Sequence, residues 1–314
     1  MSFRFDPRRP LNSEVRRIAS EETNKIAARL KSARKTPDTG LHDARKRIKA
    51  LRALLTLVRP GDEAICRAES DRFGDISSSI SAPRQASALI ETVDRLVDDF
   101  PDEADAAGLA AVRAMLVRHR TEVAYGGSDL GAVLDAAIAA CREGATQLGK
   151  LTLTDTPDEV ADVLAEGLRV TLRRARKAMK RARKRGLAED FHELRKATKT
   201  HAEHLALLDK LWPDPVDERR ERADALGESL GNLHDVFVMR ALIAGRHAPF
   251  DGIEPKRMSR LLKRSEKALR RVSLARAEEL FEEKPRQVAR NLAEACRARL
   301  RTGIAAPEPA HGDK

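Results

Sequence analysis

Apolar residues recur at helical spacing along nearly the whole chain, and one helical pattern occurs twice. The stretch "LHDARKRIKALRALLTLVRP" runs from Leu41 to Pro60, and a near copy, "FHELRKATKTHAEHLALLDKLWP", begins at Phe191. Each copy has a histidine, then Arg-Lys, then Lys, and the two histidines lie 150 positions apart. So long a period argues for a duplicated helical unit, not a short-repeat solenoid. Composition points the same way. Aromatic residues make up 3% of the chain and charged residues 35%, with Ala, Leu, Arg, Glu and Lys abundant. That favours helices and disfavours a β-sandwich.

Punctuation along the chain sets the expected helices. Asn12 or Ser13 is placed to cap the first, with Glu14 in its first turn, and that helix stops near "KTPDTG". The quoted stretch is the second, ended by Pro60-Gly61. A third is interrupted at Pro83, and a fourth ends at Pro101. Two more follow before "KLTLTDTPDE", which reads as a linker at about residues 150–157. Pro157 then starts a long helix through Arg185-Gly186. The second motif copy spans Glu189 to Leu211, and later helices run near Glu254–Phe281 and Pro285–Arg301. The expected fold is all-α: two bundles of long antiparallel helices, residues 10–149 and 158–301, with a disordered tail at 302–314.

Placed on a helix, the first motif copy is two-faced. With His42 at zero, Arg45, Lys49 and Arg52 fall within about 80° on one side and Lys46 about 40° on the other. Ala44, Ile48, Leu51, Leu55 and Val58 lie opposite. The stripe from His42 to Arg52 is about 15 Å long. Like charges at these spacings repel, and the usual interleaved acids are missing. A bound polyanion would neutralise such a stripe, with arginine forks, lysine point charges and histidine donors. The second copy repeats His192, Arg195, Lys196 and Lys199. Ala202 stands where Arg52 stood, Glu203 projects towards the cations, and His201 and His204 read as packed structural histidines.

The net charge of +11 attracts polyanions such as nucleic acid, anionic lipid or polyphosphate. The segment "RVTLRRARKAMKRARKR", Arg169 to Arg185, holds ten cations and no acid. Arg169, Arg173, Lys177 and Lys180 share one flank, and Arg174 and Arg181 a neighbouring one. Cys66, Cys141 and Cys296 are far apart and read as buried thiols of a reducing cytosol. No metal-ligand spacing, Gly-rich phosphate loop or paired acidic cluster suggests catalysis, a metal or a cofactor. The N-terminus lacks the apolar core of a signal peptide, and no stretch approaches a membrane span.

These residues resemble the CHAD family, the conserved histidine α-helical domain. The match lies in His-x-x-Arg-Lys-x-x-Lys in both halves, in Arg16-Arg17, and in "LGNLHDVFVMRAL" (Leu230 to Leu242), which is similar to a Leu-Gly-x-x-His-Asp segment. It covers about residues 10–300. The resemblance implies two helical bundles related by a pseudo-twofold axis, around a basic central groove that binds inorganic polyphosphate. Carried over residue by residue, the binding set is His42, Arg45, Lys46, Lys49, Arg52, His192, Arg195, Lys196 and Lys199, with Arg16 and Arg17 from the opening helix. Arg169, Arg173 and Lys177 come from the corresponding second-half helix. His234 completes the set, with Asp235 orienting it. Gln85 replaces an acid often found in the family, and Ala202 removes a cation; both departures bear on the symmetry of the site.

The expected function is therefore non-catalytic binding of inorganic polyphosphate, in the cytoplasm or at polyphosphate or storage granules. The alternative is a nucleic-acid-associated basic helical protein. Base-stacking binders of single strands use aromatic platforms, which this chain lacks with one Trp and one Tyr.

Overall fold

Prolines open half of the helices in the computed structural model, which describes residues 3–80, 84–104, 108–125, 130–244 and 255–304. Proline at a first helical position loses no hydrogen bond and already has helical φ. Helix α1 is Leu11–Ser32 and α2 is Pro37–Val58. Helices α3 Glu63–Ser79, α4 Arg84–Asp99, α5 Pro101–Ala104, α6 Leu109–Tyr125 and α7 Leu130–Leu148 follow. After the linker come α8 Pro157–Arg185, α9 Ala188–Leu208, α10 Pro213–Ala244, α11 Pro255–Leu280 and α12 Pro285–Ile304. No strand occurs among the described residues.

Three sequence expectations are corrected. Helix α2 begins at Pro37, before the quoted motif, because "PDTG" is taken up as its first turn. Helix α12 continues past Arg301 to Ile304, while 305–314 of the expected tail lie outside the described residues. Asn12 does not cap α1, whose N-cap is Pro10 without a side-chain bond. The Asn12 carboxamide oxygen instead accepts from Leu153 N at 3.2 Å, and Asp155 accepts from Asn12 N at 3.0 Å. The linker is thus fastened to the start of α1, with Leu151 and Leu153 buried beneath it.

Packing follows the order of the chain and repeats between halves. Helix α1 packs on α2 and α7, and α8 packs on α9 and α12. Between these sets, α2 lies against both α8 and α9. The contact of α2 with α8 is backbone to backbone. A Cβ added at Gly167 would sit 1.9 Å from the Leu57 carbonyl oxygen, so only glycine fits that crossing. One apolar core runs through both halves, from Ile18, Leu54 and Phe73 to Leu164, Leu208 and Leu292. A smaller core joins α4 and α6 to α10 and α11 through Val93, Val112, Met239 and Leu262. Cys66, Cys141 and Cys296 are buried free thiols, each pushed up to about 12 by burial.

Candidate polyanion-binding site

The two motif copies meet because α2 packs against α9 through their apolar sides. His204, fully buried on α9, donates its Nε2 proton to the Ala53 carbonyl of α2 at 3.0 Å. A carbonyl can only accept, which fixes the tautomer. His201 is also fully buried, with its ring 6.0 Å from Phe281. Both were expected to be structural, and both are. Burial holds them far below the usual histidine range, His201 at about 3 with the His204 and Arg219 charges adding to the effect, and His204 at about 4.

With the helices joined there, their polar stripes share one surface. The His192 ring is half-buried, and its pKa is lowered by burial and then by Lys196, Arg195 and, from the other half, Lys49. Lys46 likewise acts across the junction on Glu203. Burial raises the Glu203 carboxyl against the pull of Lys46, Lys199 and Arg220. His192 stacks on His234 of α10, ring centroids 5.2 Å apart. Burial, and then Arg195 and His192, hold His234 at about 4. Both rings are therefore neutral donors at pH 7 among cations, and the Nδ1 of His192 is buried without a hydrogen-bond partner. His42 and Arg45 are partly buried on the same face of α2, and Lys46 and Lys49 are exposed.

Glycines shape this surface, and sequence reading missed them. The Lys199 side chain lies along α10 where Gly227 leaves room, with Nζ 2.8 Å from the point a Cβ would occupy. Arg52 does the same against α3 at Gly74, with its guanidinium carbon 3.2 Å from that point. Phe73-Gly74-Asp75 and Leu226-Gly227-Glu228 are matching triplets, a signal visible in the sequence once the helices are aligned. Arg52 also donates to the Ser70 hydroxyl at 3.3 Å. Its proton affinity is lowered by desolvation, with Arg174 and Arg59 adding to the shift and Asp71 and Asp75 opposing it. Arg174 was not in the expected set, yet it stands at the edge of this surface. It donates to Glu193 at 2.8 Å, beside Lys196, which pairs with the same carboxylate. Burial works against the charge on Glu193, but these two hydrogen bonds outweigh it and bring its pKa to about 2.

Several expected residues are placed elsewhere. Arg16 donates Nε and Nη2 to the Leu151 carbonyl at 2.9 and 2.7 Å, anchoring the linker. Arg17 is bracketed by Glu14 and Glu21, with contacts of 2.9 Å to each. Those hydrogen bonds raise its pKa further. Arg169 forms a two-pronged pair with Glu166 at 2.6 Å. Arg173 and Lys177 are exposed on α8, on the side away from its buried residues. Asp235 faces Arg95 of α4 at 3.9 Å, and the His234 ring lies tilted by 35° against that of His192. The Gln85 side chain lies outside the described residues.

Among the described residues no three His, Cys, Asp or Glu side chains converge as a metal site requires. No helix there is long and apolar enough to cross a membrane.

Among solved structures the chain is similar to PptA from Streptomyces chartreusis, at 18% identity over 87% of this chain and 98% of that one, with a TM-score of 0.56. At that identity the likeness concerns the fold. No curated protein matches the chain. The family model of the CHAD domain matches residues 17–244, and with both motif copies and the stacked His192–His234 pair inside that span, the chain belongs to the CHAD domain family.

Proposed function

We propose that the protein binds inorganic polyphosphate, without chemistry, in a basic groove where the stripes of α2 and α9 converge beside α10. The observation that carries this reading is the packing of α2 on α9, joined by His204 and the Ala53 carbonyl, which sets the two cationic motif copies side by side. A linear polyanion crossing that junction would contact His42, Arg45, Lys46, Lys49 and Arg52 from one half and His192, Arg195, Lys196, Lys199 and His234 from the other. The repeated packing order of the halves fits a pseudo-twofold arrangement of the groove, and the polyphosphate of the cytoplasm or of storage granules would supply the ligand.

Neutral histidines that donate hydrogen bonds, flanked by fixed cations, suit a ligand made only of phosphate oxygens. Phe, Tyr and Trp make up only 3% of the chain, too few for a base-stacking platform, which is why polyphosphate is preferred over single-stranded nucleic acid. The test is a titration of the full chain with long-chain polyphosphate at two salt concentrations, with duplex DNA at matched phosphate as competitor. Binding that weakens with salt, resists DNA and releases no phosphate is expected. The combined variant Arg45→Ala, Lys49→Ala, Arg195→Ala, Lys199→Ala should lose binding while keeping its helical circular dichroism. Unchanged affinity in that variant refutes the site, and equal displacement by DNA refutes the ligand.

A further inference from the structure

The cationic helix α8 has two kinds of positive charge. Six of its cations between residues 169 and 185 are held by the protein itself. Arg169 pairs with Glu166, Arg174 with Glu193, Arg181 and Arg185 with Asp190, and Arg183 with Glu278. Arg176 donates to the carbonyls of Phe281, Glu282 and Glu283 at 2.9, 3.0 and 2.8 Å, closing the C-terminal end of α11. The other four, Arg173, Lys177, Lys180 and Lys184, have neither an ion pair nor a hydrogen bond among the described residues, and all four are exposed.

Their spacing is four, three and four residues, which keeps them in one row on the helix. The row lies opposite the buried Ala175, Ala178 and Ala182, and runs about 16 Å. Their side chains line a shallow surface depression of about 850 Å³. Val170, 47% exposed, lines the same depression at one end of the row. A row of like charges weakens its own helix unless something neutralises it, and here no neighbouring helix does. Arg174 lies one residue from the row and also touches the surface of α9 through Glu193. It is the point where the two cationic surfaces adjoin.

We propose that this outer face of α8 is a second seat for the polyphosphate chain, reached only by chains long enough to leave the α2–α9 surface and pass Arg174. The proposal rests on the polyphosphate reading of that surface and adds selection for chain length to it. A single row of cations matches a single row of phosphates. A duplex groove is a poorer fit: α8 is flanked by α9 and α12, so its outer face is a shallow surface and not a protruding helix that could enter a major groove.

The experiment compares three full-length proteins: wild type, the row variant Arg173→Gln, Lys177→Gln, Lys180→Gln, Lys184→Gln, and the four-alanine groove variant above. Each is titrated with a long-chain polyphosphate fraction and with a short one whose extended length does not exceed the roughly 15 Å run from His42 to Arg52. The row variant should bind the long fraction about tenfold more weakly, with a shallower dependence on salt, and the short fraction as wild type does. The groove variant should lose both. Long-chain affinity equal to wild type in the row variant overturns the second seat and leaves the groove standing. Undiminished binding of both fractions by the groove variant refutes the groove reading instead. Duplex DNA that binds wild type more tightly than long-chain polyphosphate, and fails to bind the row variant, overturns the proposal by assigning the row to nucleic acid. Equal thermal midpoints for the three proteins exclude misfolding as the cause.

Discussion

Acid should loosen the joint that brings the two stripes together. His201 and His204 are fully buried on α9, with native pKa values of about 3 and about 4 against 6.5 for a free side chain. The native values are the lower ones, so the unfolded chain takes up protons first as pH falls. The stabilisation is complete above about pH 6.5 and is lost progressively below it. Between pH 7.5 and pH 5 each histidine should cost about 2 kcal/mol, or about 4 kcal/mol for the pair. Carboxylates held low by ion pairs, such as Glu193 at about 2, change little above pH 5 because their unfolded values lie below that pH. The raised Glu203 carboxyl works in the opposite sense, while His234, held at about 4, and the lowered His192 add to the loss, so the histidine sum is the share of the buried pair alone. For a chain of this size the loss corresponds to a fall in thermal midpoint of roughly 8 °C. The single tryptophan, Trp212, is buried just beyond the end of α9 and reports unfolding by its fluorescence. Thermal scans at pH 7.5, 6 and 5 should show the fall, and His201→Phe, which can pack on Phe281, should remove about half of the pair's share, or roughly 4 °C. A midpoint independent of pH over this range, or an unchanged slope in His201→Phe, would show that the pair is not what acid attacks.

Other outcomes follow from single contacts. Gly167→Ala forces α8 away from the Leu57 backbone and should destabilise the protein by about 2 kcal/mol, even though alanine is the better helix former; a stability equal to wild type would mean the crossing is looser than 1.9 Å implies. Gly227→Ala displaces only the flexible end of Lys199, so it should leave the midpoint unchanged while weakening polyphosphate binding severalfold in the same titration. Lys49→Gln removes a cation that depresses His192 and should move that imidazole's titration upward by NMR, whereas no movement would place Lys49 away from the second stripe.

The all-α character, the non-helical linker and the doubled stripe were legible in the sequence, because helical periodicity and proline punctuation are local signals. The set His42, Arg45, Lys46 and Lys49 sits on one face of α2 because a helix fixes that geometry by itself. The structural roles of His201 and His204 were legible for the same reason, since they fall on the apolar side. What the sequence could not show is which neighbouring cations find partners within the protein. Arg16, Arg17 and Arg169 have carbonyl or carboxylate partners, and the Leu151 carbonyl that Arg16 holds is 135 residues away in the chain. Asn12 was misread as a cap because its true partner, Leu153, is as remote.

The sequence alone therefore determined which residue types share a helix face. Only the tertiary structure decided which faces meet, through Gly167 against Leu57 and His204 against Ala53, and which cations are neutralised at home. Charge is a property of a residue, but its availability depends on whether distant helices bring an acceptor within hydrogen-bond reach.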